Sequence, residues 1–276
     1  MKNIVHTTVG IELVRKLAEE GDHIFTSKRA KEIAPSVGLS SEYLRQALHY
    51  LVKSGWLVRL RNGLFALSAA VPGTTPVHEF EIAMALVNPA AISHWSAMHY
   101  HELTDQAPHR VFVLTTTGTL VPRVRSTRTK KDDKEFKVNE IVFQFAQVKP
   151  EYYFGTEKVW IGEARVVVTD PEKTLLDGLA RPHYCGDFAE VLHAFELRML
   201  KLDLDRIISY ALKLDAAAAK RLGWVLENQG VDPVRLEPLA QLLIKGFRKL
   251  DPTGPNKGPY NQRWMIQENL PGRVGE

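Results

Sequence analysis

The adjacent pair Arg45-Gln46 and the alternating pair Arg59 and Arg61, which lie beside the turn Asn62-Gly63, have types and spacing that suggest chemistry. Arginine bonds guanine O6 and N7 with two donors, and glutamine bonds adenine N6 and N7 in the same bidentate way. Neighbouring Arg and Gln on an exposed helix face can therefore read bases. Two arginines one residue apart on a strand share one face, an arrangement suited to a phosphate backbone or a minor groove. The alternative for the same residues is a solvated hairpin in a module that binds protein and no DNA.

Other constellations carry less. His101-Glu102 begins like the zinc signature H-E-x-x-H, but position 105 is Asp and Pro108 follows, so the second histidine is absent. His94 and His99 are five apart and do not share a helix face. In VVVTDPEKTLLD (166–177) acids and a lysine follow an apolar run, as in PD-(D/E)xK nucleases. Those enzymes separate acid and lysine by one residue, whereas Glu172 and Lys173 are adjacent. Asp170 then reads as a helix N-cap, Pro171 as the first helical residue and Glu172 as a partner of the helix dipole. The rival is a metal-dependent nucleic-acid-processing enzyme in which Asp170 and Asp177 hold the metal. No phosphate-binding glycine loop and no G-x-S-x-G elbow occurs. Cys185, near His183, reads as a packed thiol, with a nucleophile as the other reading. The charged stretch 127–136 (TRTKKDDKEF) reads as a solvated loop, with extra phosphate contact as the alternative. No catalytic residue, metal ligand or cofactor is expected.

The elements that must position these side chains follow from periodicity. Val9, Leu13, Val14 and Leu17 are spaced for a helix over 8–20, ended by Gly21-Asp22. Ile24-Phe25 predicts a strand stub, Thr26-Ser27 a cap, and Ala30, Ile33 and Ala34 a short second helix. Ser40 is placed to cap a third helix burying Leu44, Ala47, Leu48, Leu51 and Val52. Asn62-Gly63 predicts a type I′ hairpin turn that pairs Arg61 with Leu64, Leu60 with Phe65, Arg59 with Ala66 and Val58 with Leu67. Val58, Leu60, Phe65 and Leu67 would then face a core, and Arg59 and Arg61 the opposite side.

Three helices, a stub and a hairpin in this order are the parts of a winged helix-turn-helix, whose third helix enters the major groove. On that helix Ser41, Glu42, Tyr43, Arg45, Gln46, His49 and Lys53 fall outside the core stripe. Ser40, Ser41 and Tyr43 lie at its positive dipole end and suit phosphate. Arg59, Arg61 and Asn62 would contact backbone or minor groove from the wing, and Lys28 and Arg29 would clamp the neighbouring strand.

Charge agrees with that placement. The chain has 36 Lys and Arg against 32 Asp and Glu; residues 1–76 hold ten and six of these, and the rest is balanced. A basic segment on a neutral body suggests a polyanion-binding module, and the plainer alternative is a solvated face. One cysteine among 276 residues excludes an internal disulfide and suits the cytoplasm. The first residues are too charged for a leader or a membrane span.

Residues 71–78, rich in Pro, Gly and Thr, read as a linker between a 1–70 domain and a 79–250 domain. Helices are expected over 79–87 and 90–103, and strands over 110–115, 136–148, 159–162 and 165–169, with helices from Pro171 onward. This order makes the chain α+β, with central antiparallel strands and then a helical section. Residues 251–276 are expected to be an irregular tail, docked if at all through Trp264.

WLVRLRNGLFAL (56–67), ISHWSAMHYHELTDQAP (92–108), VVVTDPEKTLLDGLARPHYCG (166–186) and KRLGWVLENQG (220–230) together resemble the AbiEi antitoxin family of bacterial abortive-infection, type IV, toxin–antitoxin systems. The resemblance extends to about residue 247. It implies a transcriptional autorepressor whose winged helix binds repeats in its own promoter as double-stranded operator DNA, and whose C-terminal domain supplies antitoxicity. The functional antagonist it implies is a nucleotidyltransferase toxin, with no stable complex required. The motif residues it carries over are Asp170, Glu172, Lys173, Thr174 and Asp177, then Arg221, Leu222, Gly223 and Glu227. The chain departs from the expected pattern after Cys185-Gly186, where Asp187-Phe188 replaces a second glycine.

Overall fold

The structure is a computed structural model that describes residues 2–122 and 135–270, with side chains described from Thr8 onward. Residues 127–134 of the charged stretch and 271–276 of the tail lie outside the described residues. The chain is mixed α+β and divides into two compact units, Met1–Asn88 with Leu120–Phe143 and Trp160–Arg165, and Pro89–Thr119 with Gln144–Val159 and Val166–Glu276.

The first unit begins with α1 (Lys2–Glu19), β1 (Ile24–Thr26), α2 (Ser27–Ile33), α3 (Ser41–Lys53), β2 (Leu57–Arg61) and β3 (Leu64–Leu67). Thr26 caps α2, its hydroxyl accepting from the Arg29 amide at 3.2 Å. Gly38, at φ +75°, ends the short 3-10 turn Ala34–Val37 before α3, a left-handed position that favours glycine. Leu44, Ala47, Leu48 and Leu51 of α3 share a core with Leu13, Val14 and Leu17 of α1, and with Phe25 and Phe65, which stack at 5.8 Å. Ser40 precedes α3 as expected, but its side chain makes no cap bond.

The strands form an antiparallel sheet in the order β1-β3-β2. Its hairpin departs from the expected register. Arg61 pairs with Leu64 as predicted, whereas Arg59 pairs with Phe65, Val58 with Ala66 and Leu57 with Leu67, with a bulge at Leu60. Gly63 is left-handed at φ +71°, but Asn62 is not, so the turn is not type I′. A turn with one left-handed residue matches strand twist less well, and the extra residue of a bulge restores the twist locally. As a result Leu57 and Leu60 are buried and Val58 is only half-buried, yet Arg59 and Arg61 remain exposed.

Residues 68–78 carry no helix or strand, and α4 (Glu79–Leu86) follows, capped by His78, whose Nδ1 accepts from the Phe80 amide. The helix expected over 90–103 is instead β4 (Ala91–Ile92) and α5 (His94–Tyr100), separated where Ser93 is extended and His94 takes φ +50°. Next come β5 (Val111–Thr116), β6 (Glu135–Val138), β7 (Ile141–Val148), β8 (Thr156–Ile161) and β9 (Ala164–Thr169). One strand was expected over 136–148; Asn139 at φ +50° turns it into two. The sheet order is β6-β7-β5-β4-β9-β8, and it is not purely antiparallel: β4 runs antiparallel to β5 but parallel to β9, with Ile92 opposite Val168.

The helical section comprises α6 (Pro171–Ala180), α7 (Phe188–Arg198), α8 (Leu204–Leu214), α9 (Ala216–Asn228) and α10 (Pro233–Ala240). The expected irregular tail is partly ordered into short strands. β10 (Arg248–Lys249) and β11 (Tyr260–Asn261) flank β12 (Ile266–Gln267), and Trp264 is completely buried. Among the described residues no helix is long and apolar enough to cross a membrane.

Candidate functional site

The amphipathic face of α3 determines what it presents outward. With its leucines inward, Ser41, Tyr43, Arg45, Gln46, His49 and Lys53 are all exposed, as are Ser40, Lys28, Arg59, Arg61 and Asn62. Arg45, His49 and Lys53 recur at four-residue spacing on one stripe, and Gln46 lies beside it. Tyr50, which the core stripe and the outward set both leave out, is 47% exposed one turn beyond Gln46. Arg59 holds its guanidinium 5.6 Å from the centroid of the Phe65 ring, the residue paired opposite it.

Arg29 has an intramolecular role. Its Nε donates to Asp22 at 2.7 Å and its Nη2 to Glu20 at 2.6 Å, with Glu32 3.6 Å from Nη1, and its pKa is raised, first by the Asp22 bond. Those carboxylates come from the end of α1, the following turn and α2, so the guanidinium ties these elements together.

In the second unit the acids and lysine after β9 are buried. Asp170 caps α6 as read from the sequence, accepting from the Lys173 amide at 2.7 Å and also from Tyr210 Oη at 2.8 Å. Burial raises the Asp170 carboxyl pKa against these two bonds, and burial together with Asp170 pushes Tyr210 to about 12. Glu172 accepts from the Asp203 amide at 3.1 Å and from Arg206 at 3.4 Å, linking α6 to the start of α8. Thr174 Oγ1 lies 2.7 Å from Thr169 Oγ1.

Lys173 is fully buried. It donates to Asp177 Oδ1, one turn along, and its Nζ sits 5.2 Å from the Phe154 ring centroid. Asp177 Oδ2 is buried with no hydrogen-bond partner. Lys173 thus serves both carboxylates, its amide on Asp170 and its Nζ on Asp177, and the two acids lie about 10 Å apart along the helix axis. Among the described residues no group of three or more His, Cys, Asp or Glu is placed to hold a metal ion. Cys185 is buried, and burial, then Asp177 and Glu190, push its thiol well up, which keeps it protonated at neutral pH.

Arg221, Gly223 and Glu227 of α9 form a different group. Arg221 donates to Lys249 O at 3.0 Å and Leu179 O at 3.4 Å. Gly223 lies under the Trp264 indole, and Glu227 accepts from Trp264 Nε1 at 2.7 Å. This second group anchors the C-terminal segment rather than joining the α6 cluster.

No protein-family profile and no curated protein matches the chain. Among solved structures, the crystal structure of the RV2827C protein from Mycobacterium tuberculosis is similar in fold. Its TM-score is 0.69, covering 94% of this chain and 90% of that one at 14% identity. A likeness at this identity concerns the fold alone.

His94, weighed from the sequence only against His99 as a metal pair, begins α5 in a left-handed conformation. Its ring is 1% exposed, bonded through Nδ1 to Ser93 Oγ at 2.8 Å and edge-on to Tyr184 at 5.2 Å. Burial, then Arg181, Lys173 and His183, hold its pKa well below 6.5. As pH falls below 6.5 the unfolded chain therefore takes up a proton that the folded imidazole refuses. Stability is expected to drop by about 1.4 kcal/mol per pH unit until the folded pKa is passed. Urea titrations at pH 7.5 and 5.5 check this against His94→Asn, which keeps a side chain tolerant of positive φ. The parent should lose more stability than the variant over that interval, and equal losses would refute the assignment.

Proposed function

We propose that the chain is a sequence-specific DNA-binding autorepressor and antitoxin of the AbiEi type, acting in the cytoplasm without enzymatic activity. In this reading the module α1-β1-α2-α3-β2-β3 works as a winged helix, with α3 in the major groove and the β2–β3 hairpin along the backbone. The observation that carries it is the exposed row Arg45, Gln46, His49 and Lys53 on α3, in the same small module as exposed Arg59 and Arg61. Arg45 and Gln46 read base edges. Ser40, Ser41, Tyr43, Lys53, Arg59, Arg61 and Asn62 contact backbone, and Lys28 reaches the adjacent strand, while Arg29 stays with its carboxylates. The second unit antagonises a nucleotidyltransferase toxin, with direct contact not required.

Fluorescence anisotropy on a fragment upstream of the chain's own reading frame, against a scrambled fragment, tests the DNA half. The double variant Arg59→Ala/Arg61→Ala should weaken both fragments alike and lower the slope of log K against log salt by about 1.8, the value for two lost phosphate contacts. An unchanged slope would remove the hairpin from the interface. Arg45→Ala and Gln46→Ala should each cost about 1–3 kcal/mol on the upstream fragment and little on the scrambled one. Equal loss on both would make them backbone contacts. Co-expression with a neighbouring nucleotidyltransferase tests the antitoxin half: Arg59→Ala/Arg61→Ala should still restore growth, and failure would tie protection to DNA binding.

A further inference from the structure

The outward face of α3 carries two kinds of side chain in neighbouring rows. Arg45, His49 and Lys53 make the cationic row, and Tyr43 and Tyr50, seven residues apart, stand on the other side of Gln46. At 3.6 residues per turn Tyr50 lies about 40° from Gln46 around the helix and about 6 Å further along it, on the side away from Arg45. Within residues 8–70 these two tyrosines are the exposed large hydrophobic side chains. Tyr43 is at the helix start, where the reading above sends its hydroxyl to phosphate. Tyr50 is in the last turn and has no such assignment. Among the described residues nothing bonds its hydroxyl and no ring stacks on its own. Ser54 bonds only its carbonyl, through the amide at 2.8 Å and Oγ at 2.9 Å. A half-exposed aromatic ring placed in this way forgoes burial energy that a partner on the same face would supply.

The floor of the major groove is polar except at thymine, whose C5 methyl is the one apolar group displayed there. Gln46 suits adenine N6 and N7, and the partner of that adenine is a thymine, so a site that engages Gln46 brings such a methyl into the groove beside it. Resting on the winged-helix reading of this module, we propose that Tyr50 is a base-reading residue whose ring packs on a thymine C5 methyl, at the A·T pair engaged by Gln46 or at a neighbouring pair. The contact uses the face of the ring and not the hydroxyl. It adds thymine to the guanine and adenine that Arg45 and Gln46 select, and it requires an A·T pair within the recognised site.

Anisotropy of the full chain on the upstream fragment tests the proposal, with each thymine replaced singly by deoxyuridine, which lacks only the methyl. At one position or more this replacement should weaken binding by the parent about fourfold, the value of one buried aliphatic carbon. Tyr50→Ala should bind the unmodified fragment at least about fourfold more weakly, and the replacement that hurts the parent should then have no further effect. Tyr50→Phe keeps the ring, so it should bind like the parent and stay sensitive to the same replacement. Three results would each overturn the contact: no deoxyuridine position weakens the parent, the same position weakens Tyr50→Ala equally, or Tyr50→Phe is as weak as Tyr50→Ala, which would place the hydroxyl on phosphate. In any of these, a parent that still prefers the upstream fragment to the scrambled one leaves the DNA reading standing. A parent that binds both fragments equally refutes that reading and the Tyr50 contact with it.

Discussion

Lys173→Ala is expected to destabilise the second unit by about 3–5 kcal/mol, because it leaves Asp177 as a buried charge without its partner. Lys173 is 0% exposed and Asp177 5%, so water does not replace the lost contact at either end. The substitution also removes the cation near Phe154 and opens space beneath Tyr210, whose ring approaches the Lys173 stem from the side of Gly155. Breaking the pair and deleting the pair are different experiments. In Lys173→Met/Asp177→Leu both charges go and the volume is largely kept, so most of the loss should be recovered, and stability at or above the parent's is the expected result. Urea unfolding followed by Trp fluorescence gives both numbers. A single-variant loss below about 1 kcal/mol would mean that the pair is solvated in solution, as surface pairs are.

Gly223→Ala is the second large effect, and its sign is not the usual one for a helix. In an exposed helix interior the change gains about 1 kcal/mol, because glycine is the poorer helix former. In α9 the new Cβ would meet Cζ3, Cε3 and Cη2 of the Trp264 ring far inside contact distance. The indole has little freedom to withdraw. It is completely buried, its Nε1 donates to Glu227, and its backbone amide donates to Asn261 Oδ1. Overpacking of this kind costs about 1–3 kcal/mol or more, and here it should act by lifting the segment that carries β10, β11 and β12 off α9. The expected readout is a lower melting temperature together with faster limited proteolysis within 241–270. Trp264→Ala alone should cost about 3–5 kcal/mol. In that background Gly223→Ala should become neutral or stabilising, so the double-mutant cycle isolates the clash. A Gly223→Ala variant as stable as the parent, with unchanged proteolysis, would show that the indole does not lie on this glycine.

These two sites differ in how far they can be read from sequence. Asp170-Pro171-Glu172 announces a capped helix in its own residue types, and the cap is present as read. The same holds for α3, where leucines at three- and four-residue spacing dictate which side chains are left outward. Arg45 and Gln46 are exposed because Leu44, Ala47, Leu48 and Leu51 are not. The burial of Lys173 is another matter, since a lysine after an N-cap looks like an ordinary solvated residue until Phe154, Gly155 and Tyr210 are brought around it.

Local chemistry, then, determined most of the helices, the caps at Thr26 and Asp170, the exposed face of α3 and the position of the hairpin turn, since each depends on residues within a few positions of one another. Tertiary structure decided the rest. The bulge at Leu60 arises because the strand must match both a turn with one left-handed residue and the core formed with Phe25 and Phe65. His94 adopts a left-handed conformation where β4 ends between β5 and β9, a pairing with distant strands that periodicity cannot specify. Gly223 has a role only because Trp264 comes back onto α9. Periodicity reports that a face is buried; the partner that buries it is chosen by packing among residues far apart in the chain.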